Sequence, residues 1–472
     1  MGKYYITAAI PYVNAKPHIG HALEFIQTDT IARYHKLLGE DVLALSGGDE
    51  NALKNVRAAE ATGKGIQEFI DENTTYFEEL AKKLNVQFDV FQKGSDKDHH
   101  YVASQKLWDL CDASGDIYKK SYRGLYCIGC EIFYTKEELN ENGECFEHPG
   151  KKLEEVEEEN YFFKLSRFQD KLLEIIESGE YEIIPEFRKN EVINFIKDSL
   201  QDFSISRTNE RAKNWGVPVP RDESQRIYVW FDALNIYQSG IGFGWDEEKY
   251  EKYWPANLHV IGKGIIRFHA IYWPAILLSA GLKLPKKLFV HEYFTVNGQK
   301  MSKTIGNVYD PNVAIEKFGT DPLRYYCLAK ISPFQDGDFS EEKLAESYNS
   351  DLANGLGNLV ARVAKLCEKH NISAPQPPSQ LDEKIEKSLK EFRFHEALTH
   401  LWGEIAEADK KINEEKPWEL EGEEAKQVLE ELVKRIQHIG FNLQPFLPET
   451  AKKILTQFSE EIKSSSPLFP RI

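Results

Sequence analysis

The run Tyr4–Ile10 (YYITAAI) is apolar, β-branched or aromatic almost throughout, whereas from Ile19 the apolar residues thin to Leu23, Ile26, Tyr34 and Leu37/Leu38. The first pattern predicts a buried strand. The second, close to a 3.6-residue period and followed by Gly39, predicts a helix with a glycine C-cap. Pro11 and Pro17 mark the loop between them, and Asp41–Leu45 (DVLAL) opens a second strand. Strand and helix signals alternate in this way to about residue 117 and resume near 225, where Ile227–Phe231 (IYVWF) reads as a buried strand. Val290–Val296 reads as another, ahead of a turn at Gly298. Residues 118–224 therefore form an insertion between two halves of an α/β unit. After about 350 strand signals vanish and long amphipathic patterns run to the end, broken by the Pro-rich loop Pro375–Gln380, which predicts a helix bundle.

Composition narrows this picture in three ways. With 472 residues and 41% hydrophobic content, the chain can bury large cores in about two to four domains. No signal peptide or apolar stretch of membrane length is visible, so a cytoplasmic protein is expected. Six cysteines, three of them clustered with a histidine, suit a metal site in a reducing compartment better than disulfides. The net charge of −17 argues against long-range attraction to a polyanion, so binding of nucleic acid would rest on local basic surface and shape.

Two short strings carry candidate chemistry. His18-Ile19-Gly20-His21 opens the first helix, where unpaired N–H groups and a partial positive charge favour phosphate, and His18 and His21 can donate to phosphate oxygens. A metal pair or a plain helix cap would use the same residues. Downstream, Lys300-Met301-Ser302-Lys303-Thr304 follows a Gly-bordered turn, and two ammonium groups there can neutralise charge that develops on a triphosphate. Within the insertion, Cys127, Cys130, Cys145 and His148 follow the pattern CxxC-x14-CxxH. That spacing suits a closed structural zinc site, with a catalytic zinc and unligated loop cysteines as alternatives. The acidic run Glu154–Glu159 beside it reads as a solvated face.

In order along the chain, AAIPYVNAKPHIGHALEFIQTD, EEVEEENYFFKLS, NEVINFIKDSLQDFSISR, IYVWFDALNIY, HVIGKGIIRFHAIYWPA, KMSKT and DPLRYY resemble the methionyl-tRNA synthetases of class I over nearly the whole length. The resemblance implies a Rossmann-type parallel-sheet catalytic domain split by an inserted zinc-knuckle domain and followed by an all-α anticodon-binding bundle. Its boundaries would be 1–117 and 225–322 for the catalytic halves, 118–224 for the insertion, 323–349 for a stem-contact linker and 350–472 for the bundle. Implied substrates are L-methionine, ATP with Mg2+, and tRNA(Met), joined through methionyl-adenylate. His18, His21, Lys300 and Lys303 would be catalytic, with Gly20, Gly262, Met301 and Ser302 also at ATP.

The resemblance further places Ile10, Tyr12, Asp49, Trp230, Ala233, Leu234, Tyr237, Ile265, His269 and Trp273 around methionine, Asp49 near its ammonium. Aromatic walls suit a polarizable thioether, and His269 and the Tyr12 hydroxyl could offer the sulfur a hydrogen bond. Asn358, Arg362 and Trp418 match the anticodon-reading positions, where a stacked base contributes ~1–3 kcal/mol. The compact insertion leaves no room for the editing domain of leucyl, isoleucyl and valyl relatives. No appended tRNA-binding module follows, so a monomer is expected.

Two departures stand out. The family usually reads close to TDEHG where this chain has Gly48-Asp49-Glu50-Asn51-Ala52, and GKDI where it has Gly262-Lys263-Gly264-Ile265. The aspartate missing at Gly264 would meet the ATP ribose, so a raised ATP requirement is expected. A cysteine-specific synthetase and a non-catalytic tRNA-binding paralogue are the rival readings.

Overall fold

A computed structural model describes residues 2–127, 129, 132–134, 138–145, 150–301 and 306–471. The sequence-predicted first strand forms over Lys3–Thr7 (β1), and further strands follow at Asp41–Gly48 (β2), Val90–Lys93 (β3), Glu182–Ile184 (β4), Leu258–Gly262 (β5) and Lys287–His291 (β6). They make one six-stranded sheet in the order β3-β2-β1-β5-β6-β4. Every pairing is parallel, with Lys3 opposite Asp41 and His259 opposite Leu288. Buried on both faces, β1, β2, β5 and β6 are apolar runs rather than alternating ones, as a covered parallel sheet requires. The chain moves outward from β1 through β2 to β3, crosses to the opposite edge at β4, and returns beside β1 at β5. That reversal leaves a crevice at the carboxyl ends of β1 and β5, the usual ligand position in such sheets.

The chain divides into two compact units, one comprising 1–17, 40–79 and 87–291 and the other 18–39, 80–86 and 292–472. The sheet belongs to the first. So does the insertion, whose strands Ile132–Tyr134, Ile117–Cys127, Glu154–Phe163 and Phe203–Ser204 form an antiparallel sheet. Its later strand β4 adds to the edge of the main sheet beside β6. The expected solvated face of Glu154–Glu159 is present at Glu155, Glu157 and Glu159, which are exposed on alternate positions of a strand. The same strand buries Val156 and Asn160, while Arg211 reaches Glu154 at 3.1 Å and Glu158 at 3.8 Å.

Two predicted strands are also revised. In IYVWF the strand Asp222–Ile227 ends where the run begins, and Val229–Ala233 is a short helix with all five residues buried. A segment enclosed on every side is apolar whatever its period, so β-branched and aromatic content does not decide its backbone. Val290–Val296 is broken at Glu292 and Tyr293. β6 ends at His291, and Phe294–Val296 starts a separate small sheet with Gln299–Lys300 and Gly337–Phe339 in the second unit. Both backbone N–H groups at the break leave the ladder, Glu292 donating to the Pro333 carbonyl at 3.0 Å and Tyr293 to Asp336 Oδ1 at 2.9 Å.

The second unit is otherwise helical. Ile19–Leu37 leads it, with Gly39 at φ +79° just past its end. Asn358–His370, Glu383–Lys390, Phe394–Glu415, Gly422–Asn442 and Pro448–Gln457 supply the predicted bundle. Pro375–Gln380 is the loop between the first two of these. Ala397, Leu398, Leu401, Ile405, Ala408 and Ile412 form the buried stripe of Phe394–Glu415, spaced at three and four residues. No helix among the described residues is long and apolar enough to cross a membrane.

Candidate active site

In the second unit His18 is the N-cap of the helix Ile19–Leu37 rather than a member of its first turn, because its backbone is extended at φ −129°, ψ 175°. Its ring Nδ1 accepts from the Gly20 N–H at 3.1 Å, and its own N–H donates to His21 Nδ1 at 3.1 Å. This is a capping box made of two imidazoles. A neutral imidazole whose Nδ1 accepts carries its proton on Nε2. Both rings, 3.9 Å apart at 31°, therefore keep an Nε2–H donor at a helix N-terminus, where anions are favoured. The structure shows the cap, and the cap engages only the Nδ1 atoms.

Gly20 shows why this position lacks a side chain. A Cβ there would lie 3.0 Å from His18 Cε1 and 3.5 Å from Met301 Cε. Met301 of the second string is thus brought against the first string. Lys300 pairs through its backbone with Thr295. Its side chain, and Ser302, Lys303 and Thr304, fall outside the described residues.

In the first unit the candidate amino-acid-binding residues fall on the segments after β1 and β2, at Ile10, Tyr12 and Asp49, and on short helical turns that carry Trp230, Ala233, Tyr237, Ile265, His269 and Trp273. Tyr12 and Asp49 form an isolated parallel bridge, with the Asp49 N–H donating to the Pro11 carbonyl at 2.9 Å. Asp49 is 2% exposed. The Tyr12 ring meets Trp230 edge-on, centroids 6.0 Å apart at 87°, and Trp230 stacks flat on Phe268 at 3.6 Å and 5°. Lys54 places its ammonium 3.0 Å from the centre of the Tyr12 ring and donates to the Gly129 carbonyl at 3.0 Å. Ala233, Leu234, Tyr237, His269 and Trp273 are buried, while Ile10 and Ile265 are half-buried and pack on the same core. Trp273 meets Trp254 at 6.2 Å, and its Nε1–H is sealed from solvent with no hydrogen-bond partner among the described residues.

His269 corrects one expectation. Its Nδ1 lies 3.0 Å from the Ile265 carbonyl, which only accepts, so the ring proton sits on Nδ1. Nε2 then accepts from the Tyr237 hydroxyl at 2.8 Å. Both nitrogens are engaged and His269 holds no proton for a thioether sulfur. Burial lowers its pKa to about 4, which keeps the ring neutral. Gly262 ends β5, and Lys263–Ile265 is a single 3-10 turn that precedes a π-helical turn at Phe268–Tyr272.

The Asn51 departure has a structural account. Its amide donates to the Gly94 carbonyl and to Asp232 Oδ2, both at 2.7 Å. Asp232 Oδ1 accepts in turn from His100 Nε2 and Ser104 Oγ, each at 2.8 Å, and the whole cluster is buried. An amide that gives both hydrogens to buried acceptors meets the requirement that such groups be paired. Sequence reasoning overlooked Phe268, Lys54 and this cluster. Phe268 and Asp232 had a signal, since both lie in the quoted strings, and Asn51 was already marked as a departure.

Among the predicted metal ligands, Cys127 and Cys145 are buried with sulfurs 3.3 Å apart and no disulfide. Two thiols converging in this way, eighteen residues apart, fit a shared thiophilic ion such as zinc. Cys130 and His148 lie outside the described residues. In the second unit Asn358 is exposed at the start of its helix. Arg362 is held by Asp409 at 2.8 Å and Asn413 at 2.7 Å. Trp418, 42% exposed, stands 5.9 Å from that guanidinium, and both line a groove with Lys365, Leu366, Glu368 and Lys369. An exposed indole beside cations is suited to stacking on an unpaired base.

Residues 4–364 match the family model described as tRNA synthetases class I (M). The methionine–tRNA ligase of Clostridium acetobutylicum is 42% identical over an alignment covering 98% of this chain and 74% of that protein. That of Brucella suis is 40% identical, covering 99% and 98%. Among solved structures, Mycobacterium tuberculosis methionyl-tRNA synthetase in complex with methionyl-adenylate superimposes with a TM-score of 0.93 at 37% identity, covering 100% of both chains. A match of this extent, on a parallel sheet with its crevice at β1 and β5 and a two-imidazole cap meeting Met301, places the chain in the class I tRNA synthetase (M) family.

Proposed function

We propose that the chain is a methionine–tRNA ligase, which activates L-methionine with ATP and transfers it to tRNA(Met). The observation that carries this reading is the pair of Nε2–H donors at His18 and His21, set at a helix N-terminus against Met301. Full-length relatives named methionine–tRNA ligase and a fold-matched protein that binds methionyl-adenylate support it.

In the first step the methionine carboxylate attacks the α-phosphorus of Mg-ATP. A P–O bond forms to the carboxylate, the bond to pyrophosphate breaks, and the electron pair leaves with pyrophosphate. His18 and His21 stabilise the charge that develops on phosphate oxygens, together with Lys300 and Lys303. Gly20, Gly262, Met301 and Ser302 also bind ATP. Ile10, Tyr12, Trp230, Ala233, Leu234, Tyr237, Ile265, His269 and Trp273 shape the pocket for the methionine side chain, and Asp49 receives its ammonium. With His269 unable to donate, its role is to fix the Tyr237 hydroxyl, and dispersion against aromatic walls recognises the sulfur. In the second step the terminal adenosine 2'-hydroxyl attacks the adenylate carbonyl and AMP departs. Both nucleophiles come from substrates, so the protein supplies position and electrostatics.

Asn358, Arg362 and Trp418 read the anticodon. Arg362 is pre-ordered by Asp409 and Asn413, which lowers the entropy lost on binding. Cys127, Cys130, Cys145 and His148 would hold a structural zinc ion, which would cross-link the inserted lobe. Charging of tRNA(Met) transcripts with labelled methionine tests the whole reading. Formation of methionyl-tRNA is expected, and failure to charge with ATP and methionine saturating would refute it.

A further inference from the structure

Within the helical bundle of the second unit, four side chains with metal-ligand chemistry converge from three elements. His400 and Glu404 lie one turn apart on Phe394–Glu415, His438 comes from Gly422–Asn442, and Asp382 is the N-cap of Glu383–Lys390. Ligand atoms of Asp382, Glu404 and His438 all lie within 4.8 Å of one another. His400 Nε2 is 3.4 Å from Asp382 Oδ1 and 3.6 Å from Glu404 Oε1, and His438 Nε2 is 3.4 Å from Glu404 Oε2. Bonds of ~2.1 Å at the tetrahedral angle put neighbouring ligand atoms about 3.4 Å apart, the spacing these pairs already show.

A second observation points the same way. His400 Nε2 and Glu404 Oε2 are sealed from solvent, and what they meet among the described residues is ion-pair partners at 3.4 Å or beyond rather than close hydrogen bonds. Buried polar atoms are ordinarily satisfied, so two of them within one cluster call for an ion or a proton. The cluster is also held in place independently of either. Asn442 accepts from the Asp382 N–H at 2.8 Å through Oδ1, and its Nδ2 donates to the His438 carbonyl at 2.9 Å. The side chains remain partly exposed, which leaves an ion a way in.

We infer that Asp382, His400, Glu404 and His438 form a second metal site, which takes a divalent transition ion of the zinc type and cross-links three helical elements of the bundle. Two imidazoles and two carboxylates make a charge-neutral N2O2 set for such an ion, and imidazole disfavours magnesium and calcium. It shares no residue with the cysteine cluster.

The test loads the full chain with zinc(II) at about pH 8 and counts bound metal after dialysis. His400→Gln/His438→Gln is expected to bind one zinc ion fewer per chain than the parent. Asp382→Asn, which preserves the helix cap, is expected to weaken the same ion by ~10-fold or more. Cobalt(II) in a Cys127→Ser chain should give weak visible bands without thiolate charge transfer, and these should vanish when the two histidines are also replaced. Equal zinc content and affinity in the parent, Asp382→Asn and the double variant would overturn the site.

Discussion

Replacing Arg324 with Met tests how the helix that carries His18 and His21 is anchored. Arg324 is fully buried in the second unit. Its guanidinium donates to the carbonyls of Phe446 at 2.8 Å, Leu84 at 3.1 Å and Pro445 at 3.2 Å. It also pairs at 2.8 Å with Asp29, a buried carboxylate of the helix Ile19–Leu37. Met fills nearly the same length, so the change removes donors more than volume. Each stranded buried acceptor costs about 1–3 kcal/mol. Asp29 retains Arg33 at 2.7 Å, so it is not left as an isolated charge. The expected loss is about 3–5 kcal/mol, the range for removing one partner of a buried pair, against a total domain stability of roughly 5–15 kcal/mol. Urea unfolding followed by circular dichroism and tryptophan fluorescence reads the loss as a lower midpoint of the transition that carries the second unit. Arg324→Lys should recover part of it, keeping the charge without the fork. Asp29→Leu/Arg324→Met should cost less than the two single changes added together, since the fully buried pair then loses both charges at once, while Arg33 keeps its bond to the Asn85 carbonyl. A midpoint shift equivalent to less than about 1 kcal/mol for Arg324→Met would refute this reasoning.

Four further outcomes are expected. His18→Asn keeps a good N-cap but removes the Nε2–H, so methionine-dependent pyrophosphate exchange should slow by ~10²–10³ in kcat with helix content unchanged; an unaltered rate would remove His18 from the chemistry. Trp418→Ala should raise KM for tRNA by the ~5- to 150-fold that corresponds to ~1–3 kcal/mol of stacking, leaving pyrophosphate exchange intact, and equal loss in both assays would point to misfolding instead. Gly264→Asp should lower KM for ATP by ~2- to 10-fold through one added ribose hydrogen bond, and no change would dismiss the ribose deficit. His269, lowered by burial from 6.5 to about 4, refuses the proton that the unfolded chain takes up near 6.5. Its contribution to stability is therefore complete above 6.5 and declines as pH falls toward about 4, worth about 3 kcal/mol across that window. His269→Gln should flatten this part of the stability-versus-pH curve, and an identical slope in both proteins would contradict the assignment.

The two-imidazole cap was legible because its signal is contiguous, resting on neighbours a few residues away, and the β-loop-α-β order around it follows from local period, whereas Ser302–Thr304, Cys130 and His148 lie outside the described residues. What sequence could not show depends on partners far apart. Arg324 and Asp29 are separated by most of the chain, and nothing near Arg324 in DPLRYY marks it as buried. The Asn51–Asp232–His100 cluster likewise joins three separate segments. IYVWF misled because full burial erases the distinction between strand and helix. Glu182–Ile184 is too short to stand out as a strand, and only its pairing with β6 makes it one. The proton on His269 was invisible for a subtler reason. Tautomer choice is set by the Ile265 carbonyl one turn back, a geometry that residue names do not encode.

Amino-acid-dependent exchange of labelled pyrophosphate into ATP is the most direct test of methionine activation, because it isolates adenylate formation from tRNA binding. With the purified full chain, saturable exchange stimulated by L-methionine, and not by cysteine, leucine, isoleucine or valine, is the predicted result. Exchange stimulated by cysteine alone, or none with any amino acid while the chain is folded and ATP is saturating, would contradict it.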